Sequence, residues 1–568
     1  MTLNYSEDNK RSLYEGLLYG FNRAGESSPA AAYYGRHISF KQFMDEVHAI
    51  AAALVKHGVK KGDYVTIFLP NIPQGVLAIY AVNRIGAICN MVHPLSPQED
   101  IDYAIKLTES NVVLACEVNE GFLSGKNIEV IRCRTSGYFP STPKGFVLDK
   151  GFRFVMRKYP KVQNVAKITL WDDLVAEGKK LIKEGFQLPA DDVKPDDTAV
   201  IMYTGGTTGD SKGVMLSNYA VNSMSIQLLI DIGDGKTDVG DGFLAILPIF
   251  HAFGLAVSVH APLISGMKVV LVPRFDPKGC AQQIFSEDVL FLPGVPALFE
   301  RMYPYFEQRD LSRMKLMVSG GDRVSEELAN KYNVLLKKSK ADILFRTGYG
   351  LTEACGACSL VANEYEKLPT GCVGTPVTGT KVCVVKPGTT ELVPDGVEGE
   401  LCFLGPSVMK GYYKNEDATK DVLRLHDDGN VWLHTGDLVV IRKDGNICFR
   451  SRHKRLVKVN GYNVYPTLIE EAMQNHPDIK QVCAVATPWK LDRKIKLFVV
   501  PEKPLGTFDA AEEEKLLIEY AKEQMNRWSV PVKVEFVADL PMTKFNKIDY
   551  RLLEKQELSR ANEKKQAE

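Results

Sequence analysis

Between Ile201 and Ser217 the chain reads IMYTGGTTGDSKGVMLS, an apolar run followed by a loop rich in glycine, threonine and one lysine. Such a loop suits an anion. Glycines let the backbone approach closely and adopt positive φ, hydroxyls and amides donate hydrogen bonds, and Lys212 adds a point charge. A strand, then this loop, then a helix is the expected local order, and a plain surface turn accounts for the glycines equally well. Two familiar phosphate templates do not fit. The Walker pattern needs Gly-Lys-Ser/Thr, whereas Lys212 lies between Ser211 and Gly213. The dinucleotide pattern GxGxxG is not met by Gly205-Gly206-Thr207-Thr208-Gly209.

Other segments carry residues of chemical interest. They are Pro248–Gly254 (PIFHAFG), Tyr349–Glu353 (YGLTE), Thr435–Asp437 (TGD), Arg452–Pro466 (RHKRLVKVNGYNVYP) and Pro541–Ile548 (PMTKFNKI). Each has an ordinary reading by itself. His251 reads as a structural histidine near a strand end, Tyr349 as a core aromatic, TGD as a turn and RHKRLVK as a solvated face. Cys355 and Cys358 form a lone CxxC without a second pair, which reads as two small semi-buried residues.

The elements that must position these residues follow from hydrophobic periodicity. Ser39 can cap a helix whose apolar positions are Phe40, Phe43, Val47, Ile50 and Leu54, with Gly58 past its end. Short β-branched runs at Tyr64–Leu69, Ala199–Tyr203, Phe243–Leu247, Lys268–Val272, Val289–Leu292 and Lys315–Ser319 alternate with helical stretches. That alternation predicts an α/β class with mostly parallel sheets. From about Gly374, turn dipeptides separate short strand-like runs and predict an antiparallel β section. After Arg450 a smaller α+β unit is expected, with helices near Pro466–Asn475 and Ala510–Arg527 and strands near Val482–Ala486, Lys496–Val500 and Val534–Val537. The predicted division is 1–450 and 451–568.

At 568 residues the chain is too long for one core. Its 70 basic and 70 acidic residues balance, which argues against a dedicated nucleic-acid binder. The polar N-terminus shows no secretory signal, and every apolar window is interrupted before the roughly 20 residues a spanning helix needs. Eleven cysteines are scattered without the spacing of a disulfide framework. A cytoplasmic protein is expected.

Taken in order, these segments resemble the motifs of the adenylate-forming superfamily, whose members include acyl-CoA synthetases, peptide-synthetase adenylation domains and firefly luciferase. The resemblance runs from about residue 30 to 555. It implies a large N-terminal domain and a small mobile C-terminal one, hinged near Lys454. It implies activation of a carboxylic acid by ATP with Mg2+, then transfer to coenzyme A. Thr204, Gly205, Gly206, Thr207, Thr208, Gly209 and Lys212 would hold the β- and γ-phosphates, Thr352 the α-phosphate and Glu353 the metal. Tyr349, with Gly320 and Gly321, would face adenine, while Asp437 and Arg452 would face ribose. His251 would stand beside the carboxylate. Lys547, rather than Lys544, would bridge carboxylate and α-phosphate; Asn546 replaces the glycine usual before it. Lys458, Gly461 and Asn463 follow the hinge, with Gly461 beside the pantetheine tunnel and Asn463 on the adenylation side.

Within that superfamily the resemblance leans towards fatty-acid activation. Gly205 stands where serine is more common, and PIFHAFGLAVSVHAPLISGMKVVLVPRFDP is similar to long-chain enzymes throughout. The insert Phe139–Tyr159 is basic and aromatic. It could be a surface insertion or could touch a membrane peripherally. Another acid–CoA ligase (aromatic or bile acid), an acyl-AMP ligase loading a carrier protein, and a non-catalytic nucleotide-binding protein are the alternatives.

Overall fold

The Ser39 hydroxyl accepts from the Gln42 amide and starts the helix Phe40–Lys56, and Phe40, Phe43, Val47, Ile50 and Leu54 are all buried along its length. Units of this kind build the computed structural model, which describes residues 9–204, 211–233, 236–362, 371–460, 462–489, 492–542 and 548–567.

Two large sheets dominate. In the first, the strand order is Thr375–Pro376, Ser359–Leu360, Phe345–Tyr349, Leu316–Ser319, Val289–Gly294, Gly242–Ala245, Lys268–Leu271, Pro29–Tyr33 and Arg36–Ser39. Its interior pairs are parallel and its edges antiparallel. In the second, the order is Gly411–Tyr412, Gly213–Ser217, Thr198–Tyr203, Ile88–Met91, Tyr64–Phe68, Val112–Cys116, Glu129–Cys133 and Lys167–Leu170. It too has a parallel interior and an antiparallel edge. Strands buried on both faces need near-continuous apolar sequence, and Val112–Cys116 and Val289–Gly294 are buried at every position.

The expected strand–loop–helix order fails. The Gly–Thr loop does not run from strand into helix. Thr198–Tyr203 and Gly213–Ser217 pair antiparallel with Tyr203 opposite Gly213, so residues 204–212 connect two strands of a hairpin. The helix Asn218–Ile232 begins only after the second strand, capped by Ser217. The apolar spacing of 213–217 fits a strand as well as a first helical turn, and sheet pairing decides the matter.

The antiparallel section comprises Lys381–Val385, Gly399–Leu404, Leu423–Leu425, Val431–Ile441 and Ile447–Arg452. The turn glycines Gly388, Gly396, Gly429 and Gly445 between them all have positive φ.

By compactness the chain divides into two units. One is built from the described parts of Met1–Thr204, Asp210–Val382 and Phe403–Leu433, the other from those of Cys383–Cys402 and His434–Glu568. The second unit contains a three-stranded sheet in the order Ile479–Trp489, Asp492–Pro501, Lys533–Phe536, with the helices Pro466–Gln474 and Ala510–Gln524. Its core is Val459, Val464, Ile469, Met473, Leu497 and their neighbours. Among the described residues no helix is long and apolar enough to cross a membrane.

Candidate active site

The carboxyl ends of adjacent parallel strands are where open α/β sheets place their ligands. Here Gly294 is in register with Ser319, and Ser319 with Thr347. Gly320 and Gly321, which follow Ser319, and Tyr349, which ends the next strand, therefore lie at one such edge. The Gly320 amide donates to the Gly294 carbonyl at 3.1 Å. The half-buried Tyr349 ring lies nearly parallel to Phe403, with centroids 6.2 Å apart.

After Tyr349 the backbone makes a tight turn through Thr352–Ala354. Glycine is required at two places in it. A Cβ on Gly350 would lie 1.6 Å from the Gly356 carbonyl oxygen. Gly356 has φ +109, and a Cβ there would lie 2.8 Å from the Phe253 amide nitrogen. This close approach brings the Thr352–Glu353 turn against the PIFHAFG segment. That segment runs from the half-buried His251, whose amide donates to the Pro248 carbonyl, into the π-helical stretch Phe253–His260. Wide turns of this type recur at functional sites.

Glu353 and Lys212 are joined by a residue that no sequence motif singles out. Tyr412 is buried, and its hydroxyl donates to Glu353 Oε1 at 2.7 Å. Lys212 Nζ lies 4.7 Å from the centroid of the same ring. Tyr412 occupies the edge strand Gly411–Tyr412, which pairs with Val214 and Met215 just beyond Lys212. The Met409 amide donates to the Glu353 carbonyl at 2.8 Å, and the Tyr413 amide to the Gly213 carbonyl at 2.7 Å. Burial, together with the Glu353 carboxylate, pushes the Tyr412 phenol well up, so it stays a donor. At the base of the loop the Thr204 amide donates to the Lys212 carbonyl and the Ser211 hydroxyl to the Thr204 carbonyl. A cation and a hard carboxylate are thus fixed on two sides of one aromatic ring. That arrangement suits a polyphosphate and its divalent ion.

The family follows from comparison with known proteins. The model of the AMP-binding enzyme family matches residues 21–413, and that of its C-terminal domain matches 468–547. The chain belongs to the AMP-binding enzyme family. Among curated relatives, the long-chain-fatty-acid–CoA ligase of Escherichia coli O6:H1 is 28% identical over 532 residues, covering 92% of this chain and 90% of its own length. The corresponding ligase of Bacillus subtilis is 28% identical over 539 residues, covering 93% and 91%. Among solved structures, ATP-bound MatB from Rhodopseudomonas palustris is 24% identical with a TM-score of 0.76, covering 96% of this chain and 99% of its own. The o-succinylbenzoate coenzyme A synthetase of Bacillus subtilis with ATP and magnesium gives 21% and 0.74, with coverage of 96% and 99%. At these identities the solved structures speak for the fold.

The family residues of the second unit form their own local pairs. Asp437 is buried and in register with Arg452 on the neighbouring strand, with Nε 3.3 Å from Oδ1. Lys458 and Asn463 are exposed and face each other across the hairpin Val457–Val459 and Tyr462–Val464. Part of RHKRLVK departs from a solvated face. Arg455 is largely buried, pairs with both carboxylate oxygens of Glu470 and covers the Tyr550 ring at 4.4 Å.

Gly205, Gly206, Thr207, Thr208, Gly209, Gly461, Lys544 and Lys547 lie outside the described residues; Met542 and Ile548, flanking the last two, form an antiparallel bridge. Cys355 and Cys358 are both buried, and burial pushes the Cys355 thiol up, as befits packing residues.

Proposed function

We propose that this chain is an acid–thiol ligase that activates a medium- to long-chain fatty acid. The observation that carries the reading is the Lys212–Tyr412–Glu353 arrangement, in which the edge-strand Tyr412 meets the lysine of the loop and the carboxylate of the Thr352–Ala354 turn, in a member of the AMP-binding family. A carboxylate is a poor electrophile. Its oxygen attacks the α-phosphorus of ATP, the bond to the bridging oxygen breaks, and pyrophosphate leaves with the electron pair. The thiolate of coenzyme A then attacks the acyl carbon, and AMP leaves. Both steps crowd negative charge, so positioning and charge stabilisation do most of the catalysis.

In this reading Lys212 and the Thr204–Gly209 loop hold the β- and γ-phosphates. Glu353, a half-buried carboxylate, fits Mg2+, which takes one or two carboxylates beside phosphate oxygens and neutralises phosphate charge when bound. Tyr412 acts as a positioning residue, keeping Glu353 turned towards the lysine side. Thr352 contacts the α-phosphate and Tyr349, with Gly320 and Gly321, receives adenine. Asp437 and Arg452 face ribose, and His251 meets the acid. Lys547 bridges carboxylate and α-phosphate in the first step, where Asn463 also acts, while Lys458 and Gly461 serve the second, Gly461 beside the pantetheine tunnel. The hinge falls at Lys454 between domains 1–450 and 451–568. Arg455, clamped to Glu470 and Tyr550, would travel with the smaller part.

Support for a fatty acid comes from the names of the relatives at 28% identity and from Gly205. The enzyme is placed in the cytoplasm, with peripheral contact to a membrane. The test is acid-dependent ATP–pyrophosphate exchange over a panel of acids, then coenzyme A against carrier protein as acceptor. Exchange with aliphatic acids of increasing length is expected. Exchange with aromatic or bile acids alone overturns the fatty-acid reading, and ATP binding without exchange on any acid overturns the ligase. Transfer only to carrier protein overturns the second step.

A further inference from the structure

The helix Pro143–Met156 exposes most of its apolar residues. Phe146 is 59% exposed, Val147 69%, Leu148 42%, Phe154 73% and Val155 52%. Soluble proteins scatter such residues singly, whereas here five lie within ten positions of one helix. At 100° per residue, Val147 and Phe154 fall within about 20° of one another at the centre of the exposed face. Phe146 falls on one side of them, Leu148 and Val155 on the other.

The opposite side of the helix explains its orientation. Phe152 is half-buried and meets Phe139 edge-on at 5.8 Å, and Phe139 packs against Tyr33 and Tyr34. The helix is therefore pinned by its inner aromatic residue, and the apolar outer face is left without partner among the described residues.

Charge tells what would cover that face. Between 143 and 161 the sequence has six basic residues and a single acid, Asp149. Asp149 is only half-exposed and pairs with Arg153 at 2.7 Å, so it subtracts little from the field outside. Lys150 lies over the Phe146 ring at 4.6 Å, and Arg157 and Lys158 are exposed at the helix end. A second copy would bring two basic faces together, which like charges oppose. A nucleic-acid backbone would satisfy the charges but leave the valines and leucine in water. A helix of 14 residues is about 21 Å long, too short to span a bilayer but suited to lie in its interface.

We propose that this helix docks the protein on a bilayer carrying anionic lipid, with Phe146, Val147, Phe154 and Val155 in the acyl boundary and the basic rim on the head groups. The inference sharpens the peripheral contact proposed above. It is read by lipid binding rather than acyl transfer, so failure of either leaves the other standing.

The test is co-sedimentation of the full chain with vesicles of phosphatidylcholine alone or with one-third phosphatidylglycerol, a composition of about one anionic lipid in three. Binding to the anionic vesicles is expected, weakened by salt. Val147→Glu/Phe154→Glu should lower it at least about tenfold, and Lys150→Gln/Arg157→Gln/Lys158→Gln should remove the preference for anionic lipid. Because these side chains are exposed, melting temperature and ATP–pyrophosphate exchange in solution should stay as in the parent. Equal binding to neutral vesicles overturns the electrostatic half of the proposal. No binding, or binding unchanged in the glutamate variant, overturns it outright. So does a dimer in light scattering that Phe154→Glu dissolves, which would make the face a contact between copies.

Discussion

The two units hold their family residues by different means. In the first, Glu353 is fixed three times over: by a turn in which Gly350 tolerates no side chain, by the Met409 amide on its carbonyl, and by the Tyr412 hydroxyl on its carboxylate. In the second, Asp437 is buried beside Arg452, but Lys458 and Asn463 project to solvent from a two-stranded hairpin, and the rigid part near them is the Arg455–Glu470 pair. Groups that must oppose a transferring phosphate gain from being fixed beforehand, since reorganisation during the reaction costs rate. Groups that serve a second step need to be carried, which requires a firm base rather than a buried tip.

The comparison breaks most sharply at Glu353. Glu353→Gln keeps shape and the Tyr412 contact but removes the charge, and exchange should fall by about 10²–10³. A loss below about threefold would remove Glu353 from the metal site. Excess magnesium should restore part of the rate, which a misfolded variant would not show.

Tyr412→Phe comes next in size. It keeps the ring under Lys212 and deletes only the donor to Glu353, a hydrogen bond to a charged group. We expect KM for MgATP to rise about tenfold with kcat nearly kept. Tyr412→Leu removes the ring as well and should also slow kcat. No effect of Tyr412→Phe beside a loss in Tyr412→Leu would mean that Tyr412 merely packs.

Lys458→Ala tests the other side of the comparison. An exposed hairpin residue serving transfer to the thiol should leave exchange within about threefold and slow thioester formation more. Loss of exchange equal to that of Glu353→Gln would place the hairpin in the first step and erase the distinction between the units.

Much of this architecture is legible in the amino-acid sequence. The helix after Ser39, the parallel strands and the 466–537 elements follow from periodicity, because each buries one face or both. Glu353, His251 and Asp437 can be named as candidates because their motifs follow one another in a fixed order along the chain. The hairpin beneath the Gly–Thr loop is not legible, since GVMLS reads equally well as a strand or a first helical turn until it pairs with Thr198–Tyr203. Tyr412 itself is hidden for the same reason: only pairing of an edge strand puts its ring beside Lys212 and its hydroxyl on Glu353. Arg455 passes for a solvated residue because a run of charges does not reveal Glu470 on the following helix.

The smallest expected effect separates the anchors of the two units by pH. In the first unit His57, at the end of the helix Phe40–Lys56, gives Nδ1 to Glu129 at 2.9 Å and Nε2 to Glu177 at 3.0 Å. The Glu129 hydrogen bond raises the His57 pKa over the opposing effects of burial and Lys167. Burial pushes Glu129 up, but His57, Thr169 and Lys167 outweigh it and hold it at about 2. A raised histidine gives stability that is complete below its unfolded pKa, about 6.5, and is lost as pH rises through the folded value. A lowered carboxylate gives stability present above about 4.3 and lost as pH falls towards 2. The anchor is therefore strongest between these limits. The Arg455–Glu470 pair has no such upper limit, because a guanidinium stays charged. Raising pH from 6 to 8.5 should lower the melting temperature of the first unit by roughly 1–2 °C, a change that His57→Gln abolishes. Hydrogen exchange, corrected for its intrinsic pH dependence, should show faster opening around His57 and none around Arg455. Equal loosening at both anchors would mean that the pH effect is global and that the two units do not differ in this respect.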